Sequence, residues 1–72
     1  MTKLPIVNGP DCIRALQKAG FIVSRQSGSH VILKRPPLRV TVPNHRKPIK
    51  AGTLHQIIKD AGLTVDAFIA LL

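Results

Sequence analysis

The sequence has 72 residues, 44% of them hydrophobic, which allows one folded domain, residues 1–72, and argues against disorder. Eleven Lys and Arg residues against three acids give a formal net charge of +8, which favours a polyanionic partner and above all nucleic acid. The single cysteine, Cys12, excludes an intramolecular disulfide framework, and no Cys/His cluster has the spacing of zinc ligands.

Targeting and membrane segments are not predicted. Residues 1–5 lack the apolar run of a signal peptide, and no later apolar stretch approaches the ~20 residues of a membrane span. We therefore expect a reduced, cytoplasmic protein that needs no cofactor and does not bind a membrane.

The first predicted helix begins after Asn8, a good N-cap, with Asp11 three residues later as in a capping box. Pro10 falls in the first turn, where its missing N–H costs nothing. One face carries apolar residues at helical spacing, namely Cys12, Ile13, Leu16 and Ala19. Gly20 is expected to close the helix at the C′ position.

Three short segments after this helix are predicted as strands: residues 21–26, 30–35 and 38–42. Their short connections predict an antiparallel meander. A two-residue first turn would pair Val23 with Ile32, and a three-residue turn would pair Val23 with Leu33. We prefer a three-residue turn formed by residues 27–29. One face of the hairpin is then consistently apolar, and Gly28 can supply the left-handed residue that the turn needs.

The second hairpin joins residues 30–35 to residues 38–42. A two-residue turn at Pro36-Pro37 would pair Leu33 with Val40, although two prolines are not a favoured hairpin turn. The predicted inner face of the sheet is Phe21, Val23, Val31, Leu33, Leu38, Val40 and Val42. The predicted outer face is Ser24, His30, Ile32, Lys34, Arg39 and Thr41.

The last third of the chain begins with a polar, basic loop at residues 44–50. A second helix is predicted over about residues 51–61, ended by Gly62, with an apolar face of Leu54, Ile57, Ile58 and Ala61. Thr64 can N-cap a short C-terminal helix. The order α-β-β-β-α-α predicts an α+β fold, a three-stranded antiparallel sheet with helices on one face and the other face open.

Four stretches carry a family resemblance. Residues 25–34, Arg-Gln-Ser-Gly-Ser-His-Val-Ile-Leu-Lys, resemble the HicA (YcfA-like) toxins, which carry Gly-Ser-His at the start of a central strand. Three further stretches match in the right order: residues 19–21 (Ala-Gly-Phe), 40–45 (Val-Thr-Val-Pro-Asn-His) and 50–54 (Lys-Ala-Gly-Thr-Leu). Ala51 replaces the family's common proline, a mild departure early in a helix.

The resemblance covers nearly the whole chain and implies a double-stranded-RNA-binding-domain-like fold, α-β-β-β-α. It also implies the toxin of a type II toxin–antitoxin system, an mRNA-cleaving endoribonuclease (mRNA interferase) silenced by a HicB antitoxin. The family's functional histidine corresponds to His30, the expected catalytic residue.

Histidine suits RNA cleavage because its pKa of about 6.5 allows proton transfer near neutral pH. The expected RNA-binding residues are Arg25, Gly28, Ser29, Lys34, Arg39, His45 and Lys47. Lys34 is about 13 Å along the strand from His30, so we expect it to hold a neighbouring phosphate, whereas Arg25 and Gln26 lie closer across the turn. His45 is a candidate second proton-transfer group, although a role limited to RNA binding, or none, fits it as well.

Metal-dependent cleavage is not expected. The only acids are Asp11, Asp60 and Asp66, which provide no carboxylate pair for a two-metal nuclease. The alternative function is a non-catalytic RNA-binding module on the same fold. A third hypothesis is an interaction protein whose basic face binds only an acidic partner protein.

Overall fold

A computed structural model describes residues 3–72, in the predicted order α-β-β-β-α-α. The helices are α1 (Gly9–Lys18), α2 (Ala51–Asp60) and α3 (Val65–Ala70). The strands are β1 (Ile22–Ser27), β2 (His30–Arg35) and β3 (Leu38–Pro43). The predicted α+β fold class is confirmed, and the predicted strand ends lie within one residue of those observed.

Both ends of α1 follow the sequence signals. The Asn8 side chain accepts a hydrogen bond from the Asp11 amide at 2.9 Å, and Pro10 lies in the first turn. Gly20 has φ 98°, and the Phe21 amide donates to the Leu16 carbonyl at 3.0 Å, which together form a Schellman ending. Asn8 and Gly20 are therefore confirmed as capping residues, whereas the Asp11 side chain pairs with Arg14.

The sheet has the order β1-β2-β3, with both neighbouring pairs antiparallel. In the second hairpin, Leu33 pairs with Val40 and Val31 with Val42 across a two-residue Pro36-Pro37 turn. The register that the sequence predicts for a two-residue turn at Pro36-Pro37 is confirmed.

The first hairpin differs from its prediction near the turn. Ser27 pairs with His30, so the turn has two residues and the predicted three-residue turn is wrong. Gly28 has φ 59° and takes the first turn position, the place that a type II′ hairpin turn reserves for glycine. Val23 still pairs with Leu33, as predicted, because Ser24 is an extra residue in a β-bulge between Val23 and Arg25.

The core lies between the sheet and the helices, and α1 and α2 both pack on β3. The buried sheet residues are Val31, Leu33, Val40 and Val42, with Phe21 just before β1. Val23 was predicted to face the core, but its side chain is 41% exposed. The other residues of β1 are exposed as well. The reason is position, since β1 is the edge strand farthest from β3 and the helices do not cover it.

The loop of residues 44–50 is fixed against the start of α1. The Gly9 amide donates to the His45 carbonyl at 2.9 Å, and the Ile49 amide donates to the Val7 carbonyl at 2.8 Å. A Cβ at Gly9 would lie 2.2 Å from the Pro43 carbonyl oxygen, so this contact requires glycine. The loop is thereby held at the end of the sheet where β2 begins.

Candidate functional site

The open face of the sheet is arranged in three rows. Residues directly opposite each other in an antiparallel pair share a face, so the register assigns the side chains to rows. From the end where β2 begins, the rows are Ser27–His30–Pro43, Arg25–Ile32–Thr41 and Ile22–Lys34–Arg39. The bulge residue Ser24, predicted on this face, has no direct partner on β2.

His30 is exposed and is the first residue of β2. Its partner Pro43 has no N–H, but the backbone N–H of the next residue, Asn44, donates to the Ser29 carbonyl at 2.6 Å. The backbone is therefore hydrogen-bonded across to β3 immediately before His30 as well as along the strand after it. This arrangement fixes the histidine backbone and leaves the ring accessible to a ligand.

The bulge determines which polar side chain of β1 lies near His30. Arg25 is exposed and stands opposite Ile32, diagonal to His30, where Cβ atoms are typically about 7–8 Å apart. Gln26 pairs with Val31 on the other face of the sheet. The side-chain amide of Gln26 donates to the Gly28 carbonyl at 3.1 Å within the turn. Sequence reasoning placed Arg25 and Gln26 together, but the structure brings only Arg25 to the His30 face.

Lys34 and Arg39 pair directly at the far end of the open face, and both are exposed. Like charges in directly opposite positions repel each other, so an anion between them would be stabilising. Lys34 is four residues from His30, or about 13 Å along a strand. These two cations are therefore separated from His30 and belong to a different part of the face.

His45 and Lys47 are exposed in the loop of residues 44–50 and border a pocket of about 510 Å³. We call it the loop pocket; its lining residues are Pro43, His45, Lys47, Pro48, Ile49, Lys50 and Thr53. Pro43 also belongs to the His30 row, so the pocket adjoins the His30 end of the sheet. Sequence reasoning missed this pocket because it forms only where the loop meets the start of α2.

The chain segregates its charges. All three acids lie in helices: Asp11 in α1, where it pairs with Arg14, Asp60 at the end of α2, and Asp66 in α3. The three rows of the open face contain no acid. The molecule measures 33 × 26 × 17 Å, whereas each charge acts over a Debye length of about 8 Å, so the cations attract a polyanion at several points along this face.

Three further observations concern metal binding, membrane spanning and the cysteine. Within residues 3–72 no group of three or more His, Cys, Asp or Glu side chains is arranged to hold a metal ion. In the same range, no helix has the length and hydropathy needed to cross a membrane. Cys12 is fully buried, which raises the pKa of its thiol to about 12 and leaves almost no thiolate at neutral pH. Cys12 is therefore a core residue and not a candidate nucleophile.

Comparison with known proteins identifies the family. A search of curated proteins gave no significant match. A family model described as the HicA toxin of bacterial toxin–antitoxin matches residues 9–63, from the first residue of α1 to just beyond α2. The matched segment contains the whole sheet, His30 and the loop of residues 44–50. Since it covers most of the sequence, the chain belongs to the HicA toxin family of bacterial toxin–antitoxin systems.

Proposed function

We propose that this toxin is an endoribonuclease that cleaves mRNA, with His30 as its proton-transfer residue, and that a HicB-type antitoxin neutralises it. The observation that carries the proposal is the position of His30. It is an accessible histidine with a fixed backbone, on a cationic sheet face that contains no acid, in a member of a toxin family.

RNA supplies its own nucleophile, so the protein needs only to move protons and stabilise charge. The 2′-oxygen attacks the adjacent phosphorus, the bond from phosphorus to the 5′-oxygen breaks, and the products are a 2′,3′-cyclic phosphate and a 5′-hydroxyl. One proton leaves the 2′-hydroxyl and another reaches the departing 5′-oxygen. We assign one of these transfers to His30, which contributes about 10²–10⁴-fold in such a role.

The second transfer needs another group. His45 is our candidate, because it lies two residues beyond Pro43, the direct partner of His30, and is exposed. If His45 only binds RNA, water would carry the second proton.

The other expected residues have roles that follow from their places. Arg25, diagonal to His30, would stabilise the additional negative charge of the pentacoordinate phosphorus. At Gly28 the space that a side chain would fill is empty, so an RNA phosphate can approach the turn and the neighbouring Ser29 hydroxyl. Lys34 and Arg39 would hold a phosphate at the far end of the face.

Lys47 would hold a phosphate on the opposite side of His30, beside the loop pocket. The resulting RNA path crosses the open face from the loop to the Lys34–Arg39 pair. An antitoxin must block this path, and the cationic face predicts that it does so with acidic side chains around His30.

The proposal is tested with the purified protein and a single-stranded mRNA transcript in EDTA. We expect cleavage that leaves 2′,3′-cyclic phosphate ends. Salt-sensitive binding with intact RNA would support the non-catalytic RNA-binding module instead. Cleavage that requires a divalent metal would overturn the metal-independent mechanism, and affinity for acidic proteins without affinity for RNA would favour the interaction protein.

The same proposal predicts a phenotype in cells. Expression without an antitoxin should arrest growth, His30→Ala should relieve the arrest, and His55→Ala should not. His55 is an exposed histidine of α2 outside the three rows and the loop pocket, so it is the matched control.

A further inference from the structure

The loop pocket combines apolar walls with a cationic border. Pro43, Pro48 and Ile49 supply apolar surface, and His45, Lys47 and Lys50 supply basic groups. Thr53 adds a hydroxyl that can both donate and accept a hydrogen bond. The volume of the loop pocket, about 510 Å³, lies within the range of about 300–1,000 Å³ typical of small-ligand sites.

We propose that the loop pocket binds one unstacked nucleobase of the RNA, next to the phosphate at His30. This inference rests on the proposed function and adds to it a site that selects the base beside the cut. Proteins that read single-stranded RNA stack splayed bases on aromatic side chains or Arg guanidinium planes and hydrogen-bond the base edges. In the loop pocket, apolar side chains take the place of the stacking surface. Here the prolines and Ile49 would contact the face of the base, and Thr53 would contact its edge.

The charges that line it distinguish the loop pocket from two other pockets of the described chain. A groove between β3 and α2 is lined by Asp60 as well as Arg39, and a pocket beside α1 is lined by Asp11 as well as Arg14 and Lys18. The lining of the loop pocket contains no acid, and it shares Pro43 with the His30 row. It is therefore the pocket best suited to a base whose own phosphate lies on the cationic face.

The pocket is also fixed before any ligand arrives. The Ile49 amide donates to the Val7 carbonyl, Asn8 pairs with Pro48, and the Ile49 side chain packs on the core. Thr53 is in the first turn of α2. Binding of a base in this pocket therefore costs little conformational entropy of the loop, which favours selective binding.

The experiment compares Thr53→Leu with two control variants on the same helix. Leucine narrows the pocket and removes the hydroxyl. Because Thr53 is exposed and leucine is a good helix former, the variant should fold. His55→Leu adds leucine outside the pocket, and Gln56→Leu alters the neighbouring groove between β3 and α2, which also includes Thr53. Circular dichroism and the thermal midpoint verify folding.

Binding is measured to two probes: a short single-stranded RNA with methylated 2′-hydroxyls, which cannot be cleaved, and inorganic polyphosphate. We expect Thr53→Leu to weaken RNA binding by about 5-fold, the lower end of the range for losing one stacked base, and to leave polyphosphate binding unchanged. Both control variants should bind both probes like the unmodified protein.

An equal loss toward RNA and polyphosphate, or no loss toward RNA, would overturn the base pocket. So would a similar RNA-specific loss in Gln56→Leu, because that places the base in the neighbouring groove. The assay needs no cleavage, so it remains decisive for the pocket even if the protein leaves RNA intact and the proposed function fails.

Discussion

The two ends of the open sheet face are built differently. At the end where β2 begins, His30 lies beside a loop that is hydrogen-bonded to α1 through Gly9 and to the turn through Asn44. At the other end, Lys34 and Arg39 are exposed neighbours next to a hairpin tip. At the first end, contacts with the loop and the turn fix the backbone around His30, whereas at the second end two exposed cations supply charge. Proton transfer needs a fixed group, whereas attraction of a polyanion does not, so we expect chemistry at one end and affinity at the other.

The largest expected effect tests whether chemistry and affinity are separated between the two ends of the face. His30→Ala should reduce the RNA cleavage rate by about 10²–10⁴-fold without loss of folding, since the side chain is exposed. Lys34→Ala should reduce it only through weaker binding, so an excess of protein that saturates the RNA should restore the rate. The measurement is single-turnover cleavage at rising protein concentration. Equal losses in the two variants at saturation would show that the ends do not divide the work.

The second prediction concerns the backbone that fixes the His30 end. Gly9→Ala should lower the free energy of unfolding by about 1–3 kcal/mol or more, because the new Cβ would collide with the Pro43 carbonyl. Gly52→Ala is the matched control, since Gly52 is also in the first turn of a helix and its Cβ position is open. That variant should be more stable by roughly 0.5–1 kcal/mol. Urea unfolding of both variants measures the difference.

A third prediction separates two arginines on the same face. Arg25→Gln should lower the cleavage rate at saturating RNA about tenfold or more, because Arg25 stands diagonal to His30. Arg39→Gln should leave that rate unchanged and reduce the salt slope of RNA binding by about 0.7, the contribution of one phosphate contact on a single strand. Arg14→Gln, on α1 and paired with Asp11, removes the same charge elsewhere and should change neither.

The last expected effect is zero at neutral pH and develops only in alkaline solution. Cys12 lies one turn after Gly9, and burial raises the pKa of its thiol from 9.0 to about 12. The unfolded chain therefore loses this proton first as the pH rises, so the stability present below pH 9 should be lost progressively toward pH 12. The slope approaches about 1.4 kcal/mol per pH unit. In Cys12→Ala the free energy of unfolding should fall less steeply over this range; parallel curves would contradict the assignment.

Local signals predicted the helix ends and the second hairpin. Asn8, Gly20, Gly62 and Thr64 act through contacts within a few residues, so their roles can be inferred from sequence alone. Alternation likewise places Val31 and Leu33 opposite Val42 and Val40.

The rest depended on contacts between distant residues. An alternating pattern does not show where an extra residue enters, so the Ser24 bulge and the place of Arg25 beside His30 were missed. Val23 was expected in the core because its pattern is apolar, yet its exposure depends on how far the helices extend across the sheet. The role of His30 was inferred from family resemblance, and it remains a prediction.

The Gly9–His45 contact has a kinetic consequence. Each hairpin closes between residues near in sequence, but this contact joins residue 9 to residue 45 and must wait until the intervening strands have assembled. A nascent chain would complete the surroundings of His30 only after the loop had been synthesised. Conversely, transient opening of this contact together with the Ile49–Val7 hydrogen bond would loosen the His30 end while the sheet stays intact. Amide hydrogen exchange at Gly9 and Ile49 would report it.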